Sequence, residues 1–301
     1  MRAQWLPMSA ANRYRQPWAD AGGVTHPPAD QAVPPERMVS LVPSLTECVV
    51  ALGARDRLSG ITAFCIRPAD LLKDPALTKV GGTKKFSREK LMALKPGLVL
   101  VNLEENELDD IGWLRARVPC YINGVRTLDE GLETLRELGA LLGRLDQGDA
   151  IAAACAADLA AARARLADFR ARGGRSRRVC YPIWRDPWMI PGPDTFIARH
   201  FEALGAQLVP DRPGPSRYPE MSLEQLAAAR PDTIWLPDEP FKFQEADAAE
   251  LRARPDLAGV PVRLVSGDEV CWFGVRQREG LPYAYRTLWG QGIEDGPLPL
   301  S

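Results

Sequence analysis

From Asp149 to Ala171 the chain carries neither glycine nor proline, and its apolar residues recur at helical spacing among alanines and arginines. Alanine is the strongest helix former, so the stretch is expected to be one helix of about six turns, ended by Gly173-Gly174. Such a helix is too stiff to serve as a flexible linker. On either side of it, short apolar runs alternate with helix-like stretches, which is the pattern of α/β structure.

The two sides echo each other. Ser87-Arg-Glu89-Lys-Leu91-Met-Ala93-Leu-Lys95-Pro96 returns as Ser222-Leu-Glu224-Gln-Leu226-Ala-Ala228-Ala-Arg230-Pro231, and Ala51-Leu52-Gly53-Ala54 returns as Ala203-Leu204-Gly205-Ala206. Repeated strand–helix units imply two lobes. On the first side, strands are expected at Met38–Val42, Leu58–Thr62, Leu98–Val101 and Cys120–Ile122. Ser44-x-x-Glu47 and Thr127-x-x-Glu130 read as capping boxes that open helices, and Glu104–Arg117 as a third helix. On the second side, strands are expected at Arg178–Ile183, Thr233–Leu236 and Val262–Val265, with a helix capped by Asp194 and a last one over Arg276–Trp289.

The fold class is therefore α/β: two Rossmann-like lobes joined by a single long rigid helix, with a ligand cleft expected between them. The expected divisions are a loose leader at 1–36, an N-terminal lobe at 37–147, the connecting helix at 148–173 and a C-terminal lobe at 174–301.

Composition narrows the function. Hydrophobic residues at 46% can fill a core, which excludes wholesale disorder. Lys and Arg number 38 against 39 Asp and Glu, so nucleic acid is not the expected partner. No apolar run is long enough to span a membrane. The first 36 residues show no apolar core of a secretory signal, so the chain as written is expected in the cytoplasm, or in the periplasm if its start is misassigned. The six cysteines form no C-x-x-C pair, and there are only two histidines, His26 and His200. A His-rich metal site is thus excluded and no metal ligands are assigned. G-x-S-x-G, G-x-G-x-x-G and P-loop motifs are absent, which favours a binder over an enzyme.

Arg37-Met-Val-Ser40-Leu-Val-Pro43-Ser44-Leu-Thr46-Glu47 resembles the opening of the Fe/B12 periplasmic-binding family, the class III substrate-binding proteins of ABC importers. Gly60–Pro68, Val80-Gly81-Gly82, Leu94–Val99, Tyr218–Glu224 and Arg230–Ile234 look like that family's later blocks, and within it the vitamin B12 binders look most alike. The resemblance implies a non-catalytic receptor, without an intrinsic cofactor, for cobalamin or a related metal chelate. It implies a monomer that docks on an ABC permease through Glu89 and Glu224; the plainer reading of both is a glutamate at a helix start. It places Phe64, Tyr218, Trp272 and Phe273 against the ligand, since aromatic faces suit a flat macrocycle; the plainer reading is core packing. Thr83 stands where such proteins commonly have a tryptophan, and Trp184, Arg185 and Trp188 are expected to replace that contact, with Arg185 answering an anionic group. Cys65, in the same loop as Phe64, is the expected reactive or ligating group if the chain is instead a cytoplasmic corrinoid or metal-cofactor chaperone, or an enzyme on the same fold.

Overall fold

The computed structural model describes residues 13–209, 211 and 216–290. The chain divides into two compact units. One comprises residues 1–125 and 129–155, the other 126–128 and 156–301.

The first unit is built on a five-stranded parallel sheet of order β5-β4-β3-β6-β7. Its strands are β3 (Met38–Ser40), β4 (Leu58–Thr62), β5 (Thr78–Gly81), β6 (Leu98–Asn102) and β7 (Cys120–Asn123). Every residue of β3, β6 and β7 is buried, as expected of parallel strands covered on both faces. The helices between them are α1 (Pro43–Ala51), α2 (Arg88–Ala93), α3 (Leu108–Arg115) and α4 (Leu128–Leu141). Val39, Leu41, Leu91, Val99, Val101, Ile111 and Ile122 form one core cluster.

Three expectations are corrected here. Ser44 does not cap α1: the helix starts at Pro43, after Val42, and has no side-chain cap, because proline's fixed φ and missing N–H suit a first helical turn. The helix expected over Glu104–Arg117 begins only at Leu108, because Asn102 and Asn106 fold residues 102–106 into a hydrogen-bonded turn. The leader is not loose over 13–36. It forms a hairpin, β1 (Trp18–Ala19) with β2 (Thr25–His26), whose Tyr14 and Trp18 are buried. The hairpin lies along β7, an edge strand: Ala21 N donates to Ile122 O at 3.1 Å and Ile122 N donates to Asp20 Oδ2 at 2.8 Å. Expectations for residues 1–12 and 291–301 concern positions outside the described residues.

The second unit repeats the plan with one strand fewer. Its parallel sheet has the order β10-β8-β12-β13, from β8 (Arg177–Cys180), β10 (Ala206–Leu208), β12 (Thr233–Pro237) and β13 (Val262–Val265). A short antiparallel pair, β9 (Trp188–Met189) with β11 (Glu220–Met221), stands beside it. Its helices are α6 (Phe196–Ala203), α7 (Leu223–Ala228), α8 (Glu245–Arg252), α9 (Asp268–Cys271) and α10 (Gln277–Trp289). α6 is capped by Thr195, whose hydroxyl accepts Ala198 N, rather than by Asp194. The long helix is α5 (Leu145–Ala171), which passes from one unit into the other at 155/156.

The sequence echo has a structural counterpart. Ser87 and Ser222 cap α2 and α7, each accepting the backbone N–H three residues on at 3.2 Å. Leu91 and Leu226 are fully buried, and Gly53 and Gly205 end α1 and α6 at φ of 70° and 78°. The last two need positive φ, where glycine is unstrained.

Candidate functional site

In open parallel sheets, ligands are held by the loops beyond the carboxyl ends of the strands. In the first unit the loop after β4 carries two of the candidate residues. Phe64 is 55% exposed, with Ile66 also exposed beside it. Its ring rests over Gly82, where a Cβ would come within 3.2 Å of Phe64 Cε2. Cys65 turns the other way and is fully buried. Its sulfur lies 3.1 Å from Thr46 Oγ1 and 3.2 Å from Thr62 Oγ1. Burial pushes its thiol up, with the two hydroxyls opposing. A buried thiol with a raised pKa is neither a nucleophile nor a ready ligand, so Cys65 fastens the loop and leaves Phe64 outside.

In the second unit the loop after β8 brings Trp184, Arg185 and Trp188 together. Trp184 is 43% exposed and meets Phe241 edge-on, with ring centroids 5.4 Å apart. Phe241 in turn packs on Phe243. Trp188 is buried and stacks on Phe243 with centroids 5.6 Å apart. Arg185 is held by three carboxylates: Asp247, Glu250 at 2.6 Å, and Asp186 at 3.5 Å. Arg185 has its charge answered within the chain and serves to pin the aromatic loop to α8; Trp188 is core; Trp184 alone of the three presents a broad face. Phe241, on the loop after β12, was not found from the sequence. Its only signal was the Phe241-x-Phe243 spacing after Pro240, which does not tell which ring faces out.

Tyr218 is half-buried beside the β9–β11 pair, where Ile190 N donates to Pro219 O at 3.1 Å. Trp272 and Phe273 are interior. The Trp272 indole N–H donates to Glu239, and Phe273 meets Phe196 edge-on at 6.2 Å. Both are buried in the second unit, as the plainer of their two readings has it, and neither presents a face to solvent there. Glu89 is exposed in the first turn of α2. Glu224 is 72% exposed at its side chain and lies 3.0 Å from Arg254, and the hydrogen bonds it accepts hold its carboxyl below the usual range.

Both histidines are spent inside. His200 is fully buried, and burial lowers it to about 4. His26 pairs with Asp20 at 3.0 Å under Trp18. Among the described residues, no group of three or more His, Cys, Asp or Glu is placed to hold a metal ion, and no helix is long and apolar enough to cross a membrane.

Two parallel sheets with exposed aromatic residues on their loops define the class: a two-unit α/β protein built for binding. The chain belongs to the family described as periplasmic binding protein, which matches residues 38–262. It is 26% identical over 252 residues to a vitamin B12-binding protein of Pectobacterium carotovorum, covering 79% of this chain and 82% of that one. It is 27% identical over 201 residues to a cobalamin-binding protein of Halobacterium salinarum, covering 66% of this chain and 53% of that one. Among solved structures, the periplasmic vitamin B12 binding protein of Vibrio cholerae aligns with a TM-score of 0.69 at 22% identity, over 84% of this chain and 96% of that one. A periplasmic heme binding protein from Pseudomonas aeruginosa aligns with a TM-score of 0.73 at 23% identity, over 89% and 95%. These two likenesses establish the fold. The family also corrects the expectation of a cytoplasmic chain, since its members are periplasmic binding proteins; a missing signal-like run in the first 36 residues carries no weight against that match.

Proposed function

We propose that the chain is a non-catalytic receptor for a flat metal chelate, of the substrate-binding type that serves an ABC importer, and that its ligand is cobalamin or a close relative. The observation that carries this reading is the pair of outward aromatic faces, Phe64 in one unit and Trp184, backed by Phe241, in the other. Each is fastened from below, Phe64 by the buried Cys65 and Trp184 by the paired Arg185. Rigid aromatic faces bury large apolar area at small entropic cost. The relatives named for vitamin B12 and cobalamin support the same ligand. In this reading the chelate is cargo and there is no resident cofactor.

Glu89 and Glu224 are the proposed contacts to the permease. They occupy equivalent places in the first turns of α2 and α7 and both point charge into water. Equilibrium dialysis of the purified protein against cyanocobalamin, followed at the corrin absorbance bands, tests the receptor reading. Saturable one-to-one binding at micromolar or better is expected; no binding at that level refutes it.

A further inference from the structure

The turn between β6 and α3 holds a carboxylate, that of Glu105, with no hydrogen bond or ion pair to it among the described residues. Asn102 Oδ1 accepts the backbone N–H of Glu104 at 2.8 Å and of Glu105 at 3.2 Å, while its amide donates to Asn123 Oδ1 at 2.7 Å. Asn106 closes the turn, accepting Asn102 N at 2.9 Å and donating to Thr83 O at 2.8 Å. The turn is thus bolted to the Gly82-Thr83 loop on which Phe64 rests. Three exposed apolar side chains stand on this turn and on the loop after β4: Leu103 on the first, Phe64 and Ile66 on the second.

On this rigid mount the Glu105 side chain is half-buried and receives no hydrogen bond or ion pair among the described residues. The nearby ammonium of Lys84 is engaged elsewhere: it donates to Glu104 O at 2.8 Å and lies 3.5 Å from Glu107 Oε1. Burial pushes the Glu105 carboxyl above its ordinary range, with Lys84 pulling weakly the other way. Its field reaches Cys65, the neighbour of Phe64. A carboxylate taken partly out of water without a partner is a cost to the folded chain. A donor from a ligand would remove that cost.

We propose that Glu105 is a specificity-determining residue of the ligand site, accepting a hydrogen bond from an amide N–H on the rim of a flat chelate whose face lies on Phe64. The proposal rests on the receptor reading and sharpens it. Corrinoids are rimmed with amides, which donate. A haem is rimmed with carboxylates, which at neutral pH meet Glu105 as like charge, so one residue attracts the first and repels the second.

The test measures cyanocobalamin and hemin binding to the full chain and to its Glu105→Ala and Glu105→Gln variants. A hydrogen bond to a charged group corresponds to about 10-fold or more in affinity. Glu105→Ala is expected to lose that much for cyanocobalamin while its hemin binding holds or improves. Glu105→Gln, which keeps an acceptor oxygen, is expected to fall between. Cyanocobalamin affinity within twofold of the unsubstituted chain in both variants would overturn the proposal. Failure of the unsubstituted chain to bind cyanocobalamin would sink the receptor reading and this proposal with it.

Discussion

Lys95 and Arg230 adopt the same left-handed backbone, with φ of 48° and 50°, at the same offset that relates the two helix caps. Each follows the last turn of its helix and donates its N–H to the carbonyl three residues back, Met92 at 3.0 Å and Ala227 at 2.9 Å. Each is followed by a proline that opens the path to the next strand.

That position favours glycine. Lys95→Gly and Arg230→Gly should each stabilise the protein, by up to about 1 kcal/mol, as relief of the left-handed strain exceeds glycine's entropic cost. Valine at either position should destabilise by roughly 1–3 kcal/mol. Urea unfolding checks both. The two glycine gains should add, since the sites lie in different units and share no partner.

Trp184 and Trp188 should separate binding from stability. Trp184→Ala removes an exposed face, so it should weaken cyanocobalamin binding about 10-fold or more and shift the melting temperature little. Trp188→Ala takes a stacked ring out of the core and should cost about 3–5 kcal/mol. Paired dialysis and melting curves on the two variants check the contrast, and equal effects of both on binding alone would refute it.

Cys65 should resist modification. In the native protein iodoacetamide should label it far more slowly than Cys271, the one cysteine that is not buried, as peptide mass analysis would show. Cys65→Ser should keep ligand affinity within about twofold, because the serine hydroxyl can take the place between Thr46 and Thr62. Prompt labelling of Cys65 would revive its role as a reactive group.

His200 should make the protein acid-sensitive. Its folded pKa of about 4 lies below the ordinary value of 6.5, so between those values the unfolded chain binds the extra proton. The contribution of His200 to stability should therefore be complete above about pH 6.5, fall as pH drops towards 4, and level off below, while Glu137, raised to about 7 by burial, contributes with the opposite sign over an overlapping range. The full His200 difference is about 3 kcal/mol at 1.36 kcal/mol per unit. His200→Leu, which cannot take up a proton, should flatten that part of the stability–pH curve measured by denaturant titration.

Much of the framework was legible because periodicity and punctuation carry it. Leu58–Thr62 and Val262–Val265 are strands to the residue, as their apolar runs are bounded by clear breaks. The echo placed Ser87 and Ser222 at helix starts because a cap is a local chemical event. The loops were less legible, because a loop has no period. Trp184, Trp188, Trp272 and Phe273 look alike in sequence, and only packing puts one outside and three inside. Arg185 looked free until Asp247 and Glu250, more than sixty positions away, were seen to hold it. The hairpin at 13–36 escaped for the same reason: its order comes from β7 and α4, where Tyr14 bonds Glu133, not from its own composition.

That hairpin has a practical consequence. The family match starts at residue 38, and a shortened chain cut there would look complete by alignment. It would also lose Asp20, whose carboxylate accepts Ile122 N, Gly22 N and Val24 N and meets the His26 ring. The outer strand of the first sheet would then present bare donors and acceptors to any extended peptide, the usual start of strand exchange and aggregation. The boundary drawn by homology and the boundary needed for a soluble fold are, in this protein, some twenty residues apart.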